Sequence, residues 1–166
     1  MEKQGKKKLR RGAFFLVQAA IIGAVYAVLT VALEPISYGP IQLRISEALC
    51  VLPFFTPAAI PGLAVGCLIA NIFGGMGLLD VIVGPLATLA AAVASYYIRP
   101  KWIVPLPAVV INAFALGFVL DLYTGAGYWT VTAYLAAEQA VCCFGFGLPL
   151  LLVLEKYRDR IFRLPS

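Results

Sequence analysis

The chain has 166 residues, of which 62% are hydrophobic and 13% are charged, and its formal net charge is +5. Its mean hydropathy is +0.93, whereas an ordinary soluble domain is about 45–50% apolar and about 25% charged. A chain of this length cannot hide so much apolar surface from water. The composition therefore excludes a soluble globular fold and indicates an integral membrane protein.

The chain begins with a polar, basic segment, residues 1–12, followed by an apolar run over residues 13–33. A signal-peptide core is only about 7–15 residues long, so this run is predicted to be a retained first membrane helix. Within it, Ala20 and Ala24, with Gly23 and Ala27 beside them, form a seam of small residues on which another helix can pack closely. That seam packs either on the protein's own helices or on another subunit.

Residues 44–74 are difficult to divide because they contain Pro53, Pro57, Pro61 and Gly62. A proline inside a helix removes a backbone hydrogen bond and clashes with the preceding turn. One span here gives five helices in total, whereas spans at 45–55 and 58–73, broken at Thr56-Pro57, give six. The first of these pieces is short, so it must tilt, thin the bilayer or be shielded by neighbours. The remaining apolar runs, at 78–98, 102–120 and 131–154, are each near the roughly 20 residues that cross a bilayer.

The basic residues decide between five and six helices, because Lys and Arg accumulate in cytoplasmic loops. They form clusters at residues 3–11, at Arg99 and Lys101, and at 156–163, and these lie on one side of the membrane only with six helices. We predict an all-α integral membrane protein with a cytoplasmic tail at 1–12, a single six-helix transmembrane domain at 13–155 and a cytoplasmic tail at 156–166. The basic tails require no nucleic-acid partner, since the positive-inside bias explains them.

This topology leaves an acidic outer half, in which Arg44 is the one basic residue. Ionisable groups inside a membrane cost about 2.5–3.5 kcal/mol and usually face a partner or a wet cavity. Glu138 and Asn112 are predicted at comparable depth, with Asn71 and Glu47 nearer the outer mouth. These polar residues, together with Arg44, are predicted to line one outward-facing cavity.

The charged residues have structural alternatives. Arg44 and Glu47, three residues apart on a helix, can simply pair with each other as a salt bridge. Asp80 and Asp121 fall at predicted helix ends and can be solvated caps.

The amide and aromatic residues also allow two interpretations. Asn71 and Asn112 can be interhelical hydrogen-bond links. Tyr128 and Trp129 can belong to an interfacial aromatic belt or stack on a planar ligand. An acidic pocket lined by aromatic residues favours a cationic or hydrogen-bonding ligand.

Several kinds of chemistry lack their usual residues. The chain has no histidine, no Cys-x-x-Cys pair and no phosphate-binding Gly-x-x-x-x-Gly-Lys-[Ser/Thr] loop. Ser46 and Ser95 have no neighbouring base in the sequence. We therefore predict no catalytic residues, no metal site and no enzyme activity, and an energy source outside this chain if transport is active.

Residues 35–63, PISYGPIQLRISEALCVLPFFTPAAIPGL, closely resemble the QueT family. The likeness extends through Ala70-Asn71, Gly77-Leu78-Leu79-Asp80, Ile111-Asn112-Ala113 and the region of Glu138. That family comprises substrate-binding (S) components of energy-coupling-factor (ECF) transporters, which are assigned to the uptake of queuosine precursors.

The resemblance implies a six-helix S-component bundle with both termini in the cytoplasm and a ligand bound from outside. Ala20 and Ala24 resemble the Ala-x-x-x-Ala motif by which S components dock on a transmembrane coupling subunit. Two partner ATPase subunits then use ATP, and this chain holds no cofactor. The implied location is the bacterial cytoplasmic membrane, as a multi-pass protein.

The implied ligand is a deazaguanine such as preQ1, preQ0 or queuine. Glu138 or Glu47 would pair with its amine or its guanidine-like edge, Asn71 or Asn112 would bond the ring edge, and Trp129 or Tyr128 would stack on the face. The alternative is a stand-alone secondary carrier or channel for another small cationic nutrient. Such carriers often contain inverted repeats, and the sequence has no clear internal repeat.

Overall fold

The computed structural model describes residues 2–37, 43–75 and 77–162, and the secondary structure within them is entirely helical. The α-helices are α1 (Glu2–Ala32), α2 (Glu34–Ser37), α3 (Ala59–Phe73), α4 (Leu78–Tyr97), α5 (Leu106–Thr124), α6 (Tyr128–Ala140), α7 (Leu148–Lys156) and α8 (Arg158–Ile161). A 3-10 helix, Ile45–Phe54, precedes α3, and a 3-10 turn, Lys101–Ile103, precedes α5. A π-helical segment, Val141–Gly147, joins α6 to α7.

Four stretches of the described chain are long and apolar enough to cross a membrane by length and composition: Leu9–Ala32, Leu78–Tyr97, Lys101–Thr124 and Tyr128–Lys156. The 3-10 helix and α3 are shorter apolar helices. The predicted break between those two is confirmed, because regular helix ends at Phe54 and resumes only at Ala59, beyond Pro57.

The 3-10 helix differs from the α-helix that the sequence suggested. A 3-10 helix rises about 2.0 Å per residue, against about 1.5 Å in an α-helix, and runs beyond four residues are uncommon. The ten residues Ile45–Phe54 therefore extend about 20 Å instead of about 15 Å. The narrower, longer geometry partly offsets the shortness of this segment.

Glycines bring α1 and α3 into direct backbone contact. A Cβ atom on Gly23 would lie 2.8 Å from the carbonyl oxygen of Gly62, and one on Gly66 would lie 2.7 Å from the carbonyl oxygen of Gly23. Real Cβ atoms do not approach other atoms so closely. The two helices pack at this distance because small residues face each other, as in other membrane helix pairs.

Several segments of the chain contact each other at the end of the bundle where the basic clusters lie. Thr56 Oγ1 donates to Gln18 Oε1 at 3.0 Å, and Gln18 Nε2 donates to the carbonyl oxygen of Ile161 at 3.5 Å. Lys101 Nζ lies 2.6 Å from Glu155 Oε1. Helix α1, the break after the 3-10 helix, the Lys101 turn and the C-terminal helices are thus close together there.

Candidate functional site

Glu47, near the start of the 3-10 helix, is the centre of a buried polar network. Its side chain is 3% exposed. The Tyr26 hydroxyl donates to Oε1 at 2.6 Å, and Asn112 Nδ2 donates to Oε2 at 3.2 Å. Helices α1 and α5 therefore each hold one carboxylate oxygen, as the burial of an ionisable group in a membrane requires.

Asn112 extends this network to the junction of α6 and the π-helical segment. Its Nδ2 also lies 3.4 Å from Gln139 Oε1. The Cys143 sulfur lies 3.7 Å from the same Gln139 oxygen and 3.6 Å from the Glu47 carbonyl oxygen, so its one S–H can donate to either. Asn112 Oδ1 is buried and has no hydrogen-bond partner among the described residues. This amide oxygen is therefore a buried hydrogen-bond acceptor that a ligand or a water molecule could use.

Glu138 contacts the other side of the 3-10 helix. It is 6% exposed, and its Oε1 accepts from the backbone N–H of Arg44 at 3.1 Å and from the Cys142 thiol at 3.6 Å. Arg44 is itself buried. We call six buried residues the polar cluster: Tyr26, Arg44, Glu47, Asn112, Glu138 and Gln139.

A small internal cavity adjoins the polar cluster. Its polar wall consists of Tyr26, Glu47, Thr88 and Asn112, and its apolar wall of Cys50, Leu63, Ala91, Ala92 and Ala108. The volume of about 10 Å³ is close to the space that one water molecule needs. A bicyclic ligand would therefore enter only if the surrounding helices separated.

Asn71 and Asp80 are absent from the wall of this cavity, although the sequence placed both in the site. Asn71 Nδ2 donates to the backbone carbonyl oxygen of Asp80 at 2.7 Å and so links α3 to α4. This geometry favours the interhelical-link interpretation of Asn71. The side chain of Asp80 is 7% exposed, which disfavours the solvated-cap interpretation.

Asp121 has the local role that its position at a helix end suggested. Its Oδ1 accepts from the backbone N–H of Gly127 at 2.9 Å. The turn that it closes contains Gly125 and Gly127, with φ values of 63° and 93°, a region that favours glycine. Asp121 is thus a turn residue outside the polar cluster.

Tyr128 and Trp129 lie on the outer surface between α5 and α6. Trp129 is 73% exposed, with its ring centre 5.2 Å from that of Tyr128 and 6.5 Å from that of Phe114. The Tyr128 hydroxyl donates to the carbonyl oxygen of Phe114 at 3.4 Å. These positions favour an interfacial belt, and stacking on a ligand stays a prediction.

The small-residue seam of α1 divides into two parts. Gly23 and Ala27 are buried, and Gly23 packs directly on α3, whereas Ala20 and Ala24 are exposed. Of the four residues predicted to dock a partner, Ala20 and Ala24 are therefore the two whose side chains are accessible.

Sequence reasoning missed Tyr26 and Gln139, which are 1% and 2% exposed. Tyr26 lies four residues before Thr30, whose hydroxyl donates to Ser46 Oγ at 2.7 Å. Residues four apart lie on one face of a helix, so Tyr26 and Thr30 mark a polar stripe on an otherwise apolar helix. Gln139 directly follows Glu138, and its polarity in an apolar run was the available signal.

Membrane-length helices and an exterior rich in exposed apolar side chains, around a buried polar cluster, define a multi-pass membrane protein. The family model described as QueT transporter matches residues 16–156. The chain belongs to the QueT transporter family and is a protein of the cell membrane.

One curated relative is similar to part of the chain. It is the Queuosine precursor transporter QueT of Lactococcus lactis subsp. cremoris (strain MG1363), 46% identical over 76 residues. That alignment covers 45% of this chain and 44% of the relative, so it spans less than half of either. No solved structure is significantly similar to the chain.

Proposed function

We propose that this protein is the substrate-binding subunit of an ECF transporter and captures a queuosine precursor from outside. A transmembrane coupling subunit and two ATPase subunits would then drive uptake with ATP, so the chain would be no enzyme and would carry no cofactor. Membership of the QueT transporter family supports a transport role, and the name of the relative from Lactococcus supports the substrate class.

The charge of the buried residues is the observation that carries the ligand assignment. Among the described residues, the buried charged side chains are Arg44, Glu47, Asp80 and Glu138. Three carboxyl groups thus accompany one guanidinium in the interior of the bundle, where ionisable groups usually face a partner or a wet cavity. A deazaguanine with an aminomethyl cation would supply positive charge and N–H donors to this cluster.

The packing also supports six membrane crossings with both termini in the cytoplasm. The segments predicted to be cytoplasmic lie together at one end of the bundle, where Gln18, Thr56 and Ile161 are in contact and Lys101 pairs with Glu155. The extended 3-10 helix gives the shortest predicted span additional reach.

Ala20 and Ala24 would form the docking surface for the coupling subunit. Both are exposed, and small side chains let another helix approach closely. Tyr26 lies on the same helix as Ala20 and Ala24 and donates a hydrogen bond to Glu47. Helix α1 would therefore connect the docking surface to the polar cluster.

Calorimetry on the purified chain tests the ligand. We expect binding of a deazaguanine among preQ1, preQ0 and queuine, and no comparable binding of an unrelated cationic vitamin or a polyamine. Glu138→Gln should weaken preQ1 binding by about tenfold or more, since hydrogen bonds to charged groups contribute about 1.5–3 kcal/mol.

Asp121→Asn is the matched control, because an asparagine Oδ1 still accepts from the Gly127 N–H. Its affinity should stay within about twofold of the wild type, as is usual for surface substitutions. Equal losses in the two variants would contradict the assignment of Glu138, and an absence of binding to all three deazaguanines would remove support for the queuosine substrate.

Co-purification tests the partners. Wild type should capture the coupling subunit and both ATPases, whereas Ala24→Trp should lose them and still bind ligand. Val25→Trp is the control, since Val25 is exposed but lies roughly 100° or more around α1 from Ala20 and Ala24. Transport by the chain alone in liposomes would instead support the stand-alone carrier.

A further inference from the structure

The wall of the internal cavity offers hydrogen-bond acceptors with spare capacity. A carboxylate has about four acceptor positions. The described side-chain donors to Glu47, from Tyr26 and Asn112, occupy one position on each oxygen. Asn112 Oδ1, in a side chain that is almost wholly buried, has no partner among the described residues. Both residues line the same cavity.

Such a row of acceptors is complementary to one particular edge of a deazaguanine. The pyrimidinone ring presents a ring N–H beside an exocyclic amino group, which together supply three N–H donors. A carboxylate binds two parallel N–H groups in a bidentate arrangement, as it does with a guanidinium. The unpartnered Asn112 oxygen is available for the third donor.

The other predicted ligand-binding residues are less suited to this edge. Asn71 donates to the Asp80 carbonyl oxygen and links two helices. Glu138 accepts from the Arg44 backbone at the start of the 3-10 helix and is absent from the cavity wall. Of the two buried glutamates under consideration, Glu47 is the one beside an unsatisfied acceptor.

Tyr26 fixes the carboxylate in place. Its hydroxyl donates to Glu47 Oε1 at 2.6 Å, and the neighbouring bond from Thr30 Oγ1 to Ser46 Oγ at 2.7 Å ties the same end of the 3-10 helix to α1. Tyr26 would therefore act through Glu47 as a positioning residue.

Resting on the function proposed above, we infer that Glu47 and Asn112 read the amino-pyrimidinone edge of the deazaguanine. The ring would enter edge first, and the space beside Glu47, now about 10 Å³, would widen to admit that edge. Recognition of the exocyclic amino group would thus depend on Glu47 and be independent of Glu138.

A pair of ligands tests this inference. One is preQ1, and the other is its analogue without the exocyclic amino group, a deazahypoxanthine with the same aminomethyl arm. The wild type should bind preQ1 about 30-fold more tightly, since a lost hydrogen bond leaves a buried charged acceptor unpaired. In Glu47→Gln this preference should fall to about threefold or less.

Glu138→Gln is the matched control, because it exchanges the other buried glutamate in the same way. It should weaken the binding of both ligands but keep the preference of the wild type.

Tyr26→Phe should lower the preference partway. Destabilisation alone does not change this readout, because both ligands bind the same folded protein. If Glu47→Gln does not fold, Asn112→Ser removes one acceptor and should reduce the preference by about fivefold.

The outcomes separate this inference from the proposed function. Tight preQ1 binding with no preference over the analogue in the wild type would overturn the inference and leave the proposed function standing. A preference lost in Glu138→Gln and kept in Glu47→Gln would also overturn it. No binding of preQ1, preQ0 or queuine would refute the proposed substrate and, with it, the inference.

Discussion

The two buried asparagines, Asn71 and Asn112, use the same side chain in different ways. In both, Nδ2 donates a hydrogen bond, and in both Oδ1 has no partner among the described residues. Asn71 donates to a backbone carbonyl oxygen and joins two consecutive helices, whereas Asn112 donates to Glu47 and Gln139 beside the cavity. The partners of a buried amide therefore distinguish an interhelical link, such as Asn71, from a candidate ligand-binding residue, such as Asn112.

Replacing Asn112 should have the largest effect on ligand binding. Asn112→Leu removes both the donor that orients Glu47 and the unpartnered acceptor, so we expect preQ1 affinity to fall about 100-fold, or about 2.7 kcal/mol. Calorimetry measures the loss. A dissociation constant for preQ1 within threefold of the wild type would instead show that Asn112, like Asn71, is only an interhelical link.

Replacing Asn71 should affect stability instead. Asn71→Leu removes the bond to the Asp80 carbonyl oxygen, and we expect the free energy of unfolding to fall by about 1 kcal/mol, a typical size for interhelical hydrogen bonds in membranes. Unfolding of the purified protein in mixed detergent micelles measures this. The affinity for preQ1 should change by less than about threefold, since surrounding contacts persist; a tenfold loss would place Asn71 in the ligand site.

Replacing Trp129 should have the smallest effect and tests whether aromatic residues outside the polar cluster contact ligand. Because its side chain is largely exposed, Trp129→Ala should change preQ1 affinity by less than about twofold. Stacking on the ligand would instead contribute about 0.5–1.5 kcal/mol beyond area burial, and its loss would appear in the same calorimetric titration as a clearly larger change.

The sequence alone determined the class of the protein and identified several of its buried polar residues. Hydropathy and span length are local properties, so the apolar runs predicted the four membrane-length helices and Pro57 predicted the break before α3. Counting residues from the span ends also placed Glu47, Asn112 and Glu138 within the membrane region. These three residues all belong to the polar cluster.

Only the tertiary structure decided which way each side chain faces. Both faces of a membrane helix can be apolar, because lipid and protein interior have similar polarity, so hydropathy does not identify the inward face. For this reason Tyr26 and Gln139 escaped notice, and Gly23 was grouped with the exposed Ala20 and Ala24.

The helix types also depended on tertiary contacts. Gly147 lies against the 3-10 helix, where an added Cβ atom would be 3.2 Å from the Ala48 carbonyl oxygen. Cys143 bonds to the Glu47 carbonyl oxygen from the π-helical segment. The two irregular helices are thus in direct contact, and their geometry depends on residues about 96 positions apart, a relation that no local sequence pattern encodes.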